Sequence, residues 1–474
     1  MAVYDYWSIP DWSHDEPTFN YLEIATKLRD FHAKNIKGLQ AESTYGGGAI
    51  GLAQYVAAHV MWDTNLDEHA LIEDWYATAF GPAKSPMKRM LERWAQGYRP
   101  ISAELGTSYR DIAEAERLAE GNPAIVARID DFARYLHYLR LRDELLNLTD
   151  AAAKNSRAMA MAEYLLDIND SRMVHTTRIF DLGRTPAILS EFHLHNPNVP
   201  GDPADGPGWA RVHSLSHTEV AGLIADGLAT YPAPDFAVRR FNGKLVPLKP
   251  ITWAPPTGDP WGPALMSGAR HSPIIEVQIP PGLPNFPLRI GRIDRIKTIN
   301  VTDESGHTVY SHTLPAGAPD KKHDWQHTAN WEELSIPLAA GRYHLHFGPG
   351  VNLFQTWKGV PMIFLGNLVP QKQWPTPRLY FYVPRGLEKI AIYFPDTDRA
   401  CGFETPVYLP DGSRATIESR DGDKLMLIPV PSGQDGKIWA LDRIVQPNDP
   451  FEMLNVPQAF SLSPETLMRP EDAK

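Results

Sequence analysis

The chain has 474 residues, with 46 Lys and Arg against 57 Asp and Glu for a formal net charge of −11, and 43% of its residues are hydrophobic. That length exceeds one core and points to about three domains. The acidic balance argues against a nucleic-acid partner, which needs clustered positive charge, and no apolar run approaches the roughly 20 residues of a bilayer span, so no membrane partner is expected either. The lone cysteine, Cys401, excludes an intrachain disulfide framework and a Cys-based zinc site. The start, MAVYDYWSIP, lacks the basic and apolar segments of a signal peptide. The expectation is therefore a cytoplasmic protein, or one whose start lies upstream in an extracellular or periplasmic parent. Proline, 43 of 474 residues or about 9% against a usual share of roughly 5%, falls mostly after Pro186.

Val3 to Trp7 reads as a strand. Pro17 to Asn35 then places Tyr21, Ile24, Leu28 and Phe31 on one face of a short amphipathic helix, and Lys37 to Glu42 reads as a second strand. Strand, helix and strand make a βαβ unit with parallel strands and a right-handed crossover. Leu39 and Ala41 are expected to face the helices, and Gln40 and Glu42 the interior. This is the pattern of the last strands of a (β/α)8 TIM barrel, assigned to residues 1–65. A helical domain follows over 66–185. Its expected helices are Leu52 to Trp62, Asp67 to Phe80 before the Gly81-Pro82 stop, Ser85 to Gln96, one from Asp111 onward, Pro123 to about Leu148, and Ala151 to Asp167.

Residues 186–235, rich in Pro, Gly, His and Asp, show no sustained period and read as an irregular connector. Beyond Phe236 short alternating runs separated by turns such as Pro410-Asp411-Gly412 mark an antiparallel all-β region. Its length suits two β-sandwiches, over 236–370 and 371–474. The fold class is thus multidomain α/β plus all-β: a carboxyl-terminal barrel remnant, a helical domain and two sandwiches.

Chemistry in such barrels sits where the strands end, and Asp5 and Glu42 stand there. Glycoside hydrolysis needs two carboxyl groups across the scissile bond, so these are the candidate catalytic pair, both expected to aim into the barrel cavity. Tyr4, Tyr6, Trp7, Trp12 and Tyr45 crowd the same strand ends and suit the apolar faces of a sugar, which makes them the candidate substrate-binding residues. The structural alternative is that Asp5 caps a loop, Glu42 pairs with an Arg, and the aromatics fill the mouth. Two strands cannot close a barrel of eight, so the chain is expected to be the carboxyl-terminal part of a longer enzyme or one half of a noncovalent assembly with the missing amino-terminal barrel segment.

The run Gly38-Leu39-Gln40-Ala41-Glu42-Ser43-Thr44-Tyr45-Gly46, followed by Gly51 to Asp63, resembles the final strand and helix of the α-glucuronidase-like barrels. Leu71-Ile72-Glu73-Asp74-Trp75-Tyr76 and Phe80-Gly81-Pro82-Ala83 resemble the first helix after that barrel. Within the group the chain is most similar to a bacterial family of large carbohydrate-active proteins classed by a domain of unknown function. Tyr380 to Gly386 and Leu454 to Pro457 resemble the β-sandwich that ends many of those proteins. The resemblance implies a hydrolase of polysaccharide or oligosaccharide, uronic acid-bearing sugars included, with the proton donor on an earlier strand. The residues around Asp5 and Glu42 depart from the α-glucuronidase pattern, so their roles do not carry over.

The pairs His193/His195 and His344/His346 would each put two rings on one face of a strand, but neither has a third ligand at a recognisable offset, so no metal is expected. His59 reads as a buried, satisfied histidine. Gly46-Gly47-Gly48 lacks the ending of a phosphate loop, and no cofactor is expected. Trp325, Trp331, Trp357, Trp374 and Trp439 could form a sugar-binding platform or a core; Trp439 reads as core, and Trp357 stays open. The second functional reading is a noncatalytic carbohydrate-binding or scaffolding protein built on the β region.

Overall fold

The computed structural model describes residues 2–7, 17, 21–42, 47–176, 179, 215–263, 265–267, 274–292, 297–314, 330–347, 352–365, 378–394, 406–421, 424–442 and 451–474. These form two compact units, Met1–Pro234 and Asp235–Lys474, giving a mixed α/β chain with a β-rich second half.

In the first unit Ala2–Tyr6 (β1) and Gly38–Glu42 (β2) pair in parallel, Val3 opposite Leu39 and Asp5 opposite Ala41. Tyr21–Ala33 (α1) makes the crossover and buries Tyr21, Ile24, Ala25 and Leu28, as its apolar spacing requires. Leu39 packs on the same core from β2. The βαβ unit is therefore as expected, but among the described residues the sheet holds these two strands and no closed barrel.

Helices Gly51–Trp62 (α2), Glu68–Phe80 (α3), Lys84–Ala95 (α4), Ser102–Ala119 (α5), Pro123–Asn147 (α6) and Ala151–Asp167 (α7) follow. Their starts obey local chemistry. Asp67 accepts from the His69 amide, Asn122 from Ile125 with Pro123 at the first helical position, and Asp150 from Ala153. Gly81, at φ +48°, ends α3 in a conformation that favours glycine.

α5 begins nine residues before the Asp111 start expected from the sequence. Beside a buried apolar stripe of Leu105, Tyr109 and Ile112, its first turns also bury a polar set, Glu104, Ser108 and Asp111. These groups surround Arg93 of α4. Its Nε donates to Glu104 Oε1 at 2.6 Å, Nη1 to Asp111 Oδ2 at 2.9 Å and Nη2 to Ser108 Oγ at 3.0 Å. Trp94 Nε1 also donates to Glu104 Oε1, at 3.1 Å. Burial opposes the Arg93 charge, but the two carboxylates outweigh it and raise its pKa.

The expected connector over 186–235 is corrected in its last part, where His217–Thr230 forms a helix, α8. A capping box starts it, Ser216 Oγ accepting from the Glu219 amide and the Glu219 carboxylate accepting from the Ser216 amide. Val220, Ile224 and Gly227 face inward. At Gly227 a Cβ would lie 2.4 Å from the ring of Tyr109, itself fully buried on α5. Only glycine allows this approach.

In the second unit one sheet of nine strands runs, edge to edge, through Val407–Tyr408, Lys437–Leu441, Leu379–Val383, Ala459–Ser461, Met362–Leu365, Ile274–Ile279, Gly341–Phe347, Lys297–Asp303 and Thr308–Leu314. Two four-stranded sheets, one containing Phe286–Arg292 and the other Lys389–Tyr393, share a single apolar core with it: Leu288 and Ile390 join Val277, Phe381 and Trp439. The expected boundary between 370 and 371 thus falls inside one sheet, because Ala459–Ser461 pairs with both Met362–Leu365 and Leu379–Val383.

Glu276, on a central strand of that sheet, is 7% exposed, and no hydrogen bond reaches its Oε1. Arg342 Nη1 and His344 Nε2 stand 3.5 and 3.6 Å from its oxygens, and the same guanidinium holds Glu304 at 2.5 Å. Burial, then the Glu304 charge, push the Glu276 carboxyl up to about 7, with Lys244 opposing.

Two outcomes test this packing. Gly227→Ala should destabilise the chain by about 1–3 kcal/mol through overpacking, despite the gain of about 1 kcal/mol that alanine brings to a helix interior. Gly222→Ala, on the same helix with open space around it, should show only that gain, read as paired midpoints in urea. The raised Glu276 pKa means that the folded state holds a proton the unfolded chain releases above its ordinary 4.5, so stability falls as pH rises from there through about 7. Glu276→Gln should flatten that slope in thermal melts between pH 5 and about pH 8, and an unchanged slope would refute the assignment.

Candidate functional site

The carboxyl ends of β1 and β2 form the rim on which sequence reasoning placed the site. Parallel register brings Asp5 opposite Ala41 and Tyr6 opposite Glu42. Trp12 and Tyr45 lie outside the described residues, and of Tyr6 and Glu42 only the backbone is described. Tyr4 sits on the outer face of the pair, 53% exposed and opposite Gln40, where a planar ligand could reach its ring.

Asp5 requires a correction. It shares its face with Val3, Leu39 and Ala41, the face packed towards the helices, because alternate residues of a strand point the same way. Its Oδ1 lies 3.8 Å from Lys27 Nζ on α1, and its Oδ2 accepts from Trp7 Nε1 at 3.3 Å. Lys27 also pairs with Glu23 at 2.8 Å; that hydrogen bond chiefly, and the Asp5 charge in a smaller part, raise the lysine pKa. Asp5 therefore points towards α1 rather than into a barrel cavity. What it can do there is fix the Trp7 indole, which packs partly against the helical core. Lys27 was missed by sequence reasoning, although its i,i+4 relation to Glu23 was visible as an ordinary helix pair.

The β unit holds a second group of aromatic rings. Trp261 and Trp357 meet edge to face at 6.4 Å, and the Arg289 guanidinium lies 4.2 Å from the Trp261 ring and 5.8 Å from that of Trp331. Arg289 is also paired with Glu333. Beside them lies a cavity of about 210 Å3 lined by Trp357, Lys358, Met362, Ser461 and Thr466, and the Trp357 indole N–H is buried without a partner. Trp439 is core, 1% exposed and donating to the Gln434 carbonyl at 2.8 Å. Trp325 and Trp374 fall outside the described residues. Trp261 and Arg289 were missed because a Pro- and Gly-rich stretch surrounds the first and Pro287 and Gly291 break the pattern around the second.

Of the histidines, His193 and His195 fall outside the described residues. The rings of His344 and His346 stand 6.3 Å apart, His346 hydrogen-bonded to Thr302 at 3.1 Å, and among the described residues no metal-ligand group of three includes them. His59 is half-buried, its Nδ1 2.9 Å from the Tyr55 carbonyl.

The family described as a domain of unknown function, DUF4838, matches residues 1–92, a span that takes in β1, α1, β2 and α2 to α3. None of the curated proteins matches the chain.

If Asp5 holds the indole, Asp5→Ala should shift the Trp7 side-chain N–H resonance, identified as the signal lost in Trp7→Phe. Glu23→Ala should leave that resonance in place, and the stability cost of Asp5→Ala should stay within about 1 kcal/mol for so exposed an ion pair. An unmoved indole signal would show that Asp5 does not position Trp7.

Proposed function

We propose that this chain supplies the closing strands and appended units of a glycoside hydrolase barrel, as the carboxyl-terminal part of an enzyme that cleaves O-glycosyl bonds in polysaccharide or oligosaccharide, uronic acid-bearing sugars among them. The observation that carries this reading is the parallel pairing of β1 with β2 across α1, which gathers Asp5, Tyr6, Trp7 and Glu42 at the carboxyl ends of adjacent strands. The DUF4838 match covers that segment. The remaining barrel strands would pair along the outer edges of β1 and β2.

In this reading Glu42 is the carboxylate that works at the scissile bond. Asp5 is a positioning residue that orients Trp7 beneath the rim, and Tyr4 offers its ring to the C–H face of the sugar. A second reading, a noncatalytic carbohydrate-binding protein, draws on the Trp261, Trp357 and Arg289 group beside its cavity.

One experiment separates the two. The longest polypeptide that the gene encodes is assayed for reducing-sugar release on neutral and uronic acid-bearing oligosaccharides, and for retardation on polysaccharide gels. Under the first reading Glu42→Gln lowers turnover by more than about 100-fold, and Asp5→Asn lowers kcat/KM by less, mainly by raising KM. Turnover unchanged in both variants would remove the catalytic reading. No turnover, with gel retardation that Trp261→Ala abolishes, would establish the second.

A further inference from the structure

Away from the strand ends, three metal-ligating side chains converge from three helices: Glu116 of α5, Asp130 of α6 and His217 at the start of α8. We propose that they form a binding site for a divalent first-row transition metal, of which Zn2+ is the type. One ligand atom from each lies within 4.8 Å of the others. His217 Nδ1 stands 3.0 and 3.1 Å from the two Asp130 oxygens. Neighbouring ligands of a tetrahedral zinc centre, with bonds of about 2.0–2.1 Å, lie about 3.3 Å apart, so this pair is already near ligand spacing. Glu116, within 4.8 Å of both, would have to move in to complete the shell.

A second, independent feature points to a missing cation. Glu116 Oε1 is buried and has no hydrogen-bond partner. A buried carboxylate oxygen without a partner is costly, and a metal ion would satisfy it. Asp130 beside it is 4% exposed, so two carboxylates share a poorly hydrated corner.

The site also has an entrance. Glu116 and His217 line a cavity of about 530 Å3 with Arg117, Glu120, Asn122 and Val126, and the His217 side chain is 57% exposed. Three protein ligands facing such an opening leave a coordination position for water or a small anionic ligand, the arrangement of an open rather than a closed zinc site. One imidazole and two carboxylates suit zinc or manganese better than magnesium, which prefers an all-oxygen, well-hydrated shell. Sequence reasoning expected no metal because no short motif links these residues: His217 is 87 positions from Asp130, and only the fold of α8 onto α5 and α6 unites them.

The competing account is an ion pair between His217 and Asp130 that merely ties α8 to α6. Calorimetric titration of the chelator-treated full chain with ZnCl2 and, separately, MgCl2 decides between them. The proposal expects one equivalent of Zn2+ bound at this site, with Kd on the order of 1 μM or tighter, a rise in Tm on binding, and no comparable uptake of Mg2+. Glu116→Gln, which keeps volume and folding, and His217→Ala should each weaken that binding more than about tenfold and cancel the Tm rise. His344→Ala/His346→Ala should leave both intact. No zinc-dependent Tm rise, or a rise and affinity unchanged in Glu116→Gln and His217→Ala, would overturn the site and leave the ion pair as its explanation. Neither outcome bears on the glycosidase assay, which reads a different part of the chain.

Discussion

The register of α4 against α5 depends on one partly buried charge. Arg93 sits between Glu104 and Asp111 with every polar atom of its head engaged or paired, and Asp111 is held a second time by Arg89 at 2.8 Å. Replacing such a cluster with apolar groups can be neutral, but removing one member strands the others, so the cluster acts as a register device more than as a source of stability. Its register is that of α5 against α4. α5 also packs against α6 and α8, so its placement decides where Tyr109 meets Gly227 and where Glu116 meets Asp130 and His217.

How much of this could be read from residues alone depends on whether local chemistry and tertiary packing agree. They agree in α1, where the apolar spacing suffices, and in α3 and α6, where spacing and capping residues coincide, and the observed bounds differ from the expected ones by a few residues. They conflict in the first half of α5, where buried Glu104, Ser108 and Asp111, gathered on Arg93, interrupt the apolar pattern of Leu105, Tyr109 and Ile112. They conflict again at Met362–Leu365, an unbroken apolar run that a search for alternation passes over, since a strand buried on both faces does not alternate. α8 is the instructive case. Its Ser216-His217-Thr218-Glu219 cap and its 220, 224, 227 spacing were present in the sequence, yet Gly222, Gly227 and the Pro-rich stretch before it hid them.

The strand-end site was legible at the level of backbone and misread at the level of faces. Placing Asp5 and Glu42 at the ends of two parallel strands needed only the βαβ pattern. Aiming both carboxylates into one cavity ignored the two-residue period, by which Asp5 follows Val3 towards the helices. Long-range groupings were out of reach altogether. Neither the stack of Arg289 on Trp261 nor the meeting of Glu116, Asp130 and His217 has any signature in residue spacing, because each arises from elements far apart in the chain.

The two-stranded parallel pair has one further consequence, for the dynamics of the rim. A ribbon of two strands is marginal by itself in water, and among the described residues α1, Leu39 and Trp7 set side chains of this segment against the core. A segment of that kind belongs to the low-stability end of a fold, so its amides are expected to trade hydrogen with solvent before those around Arg93.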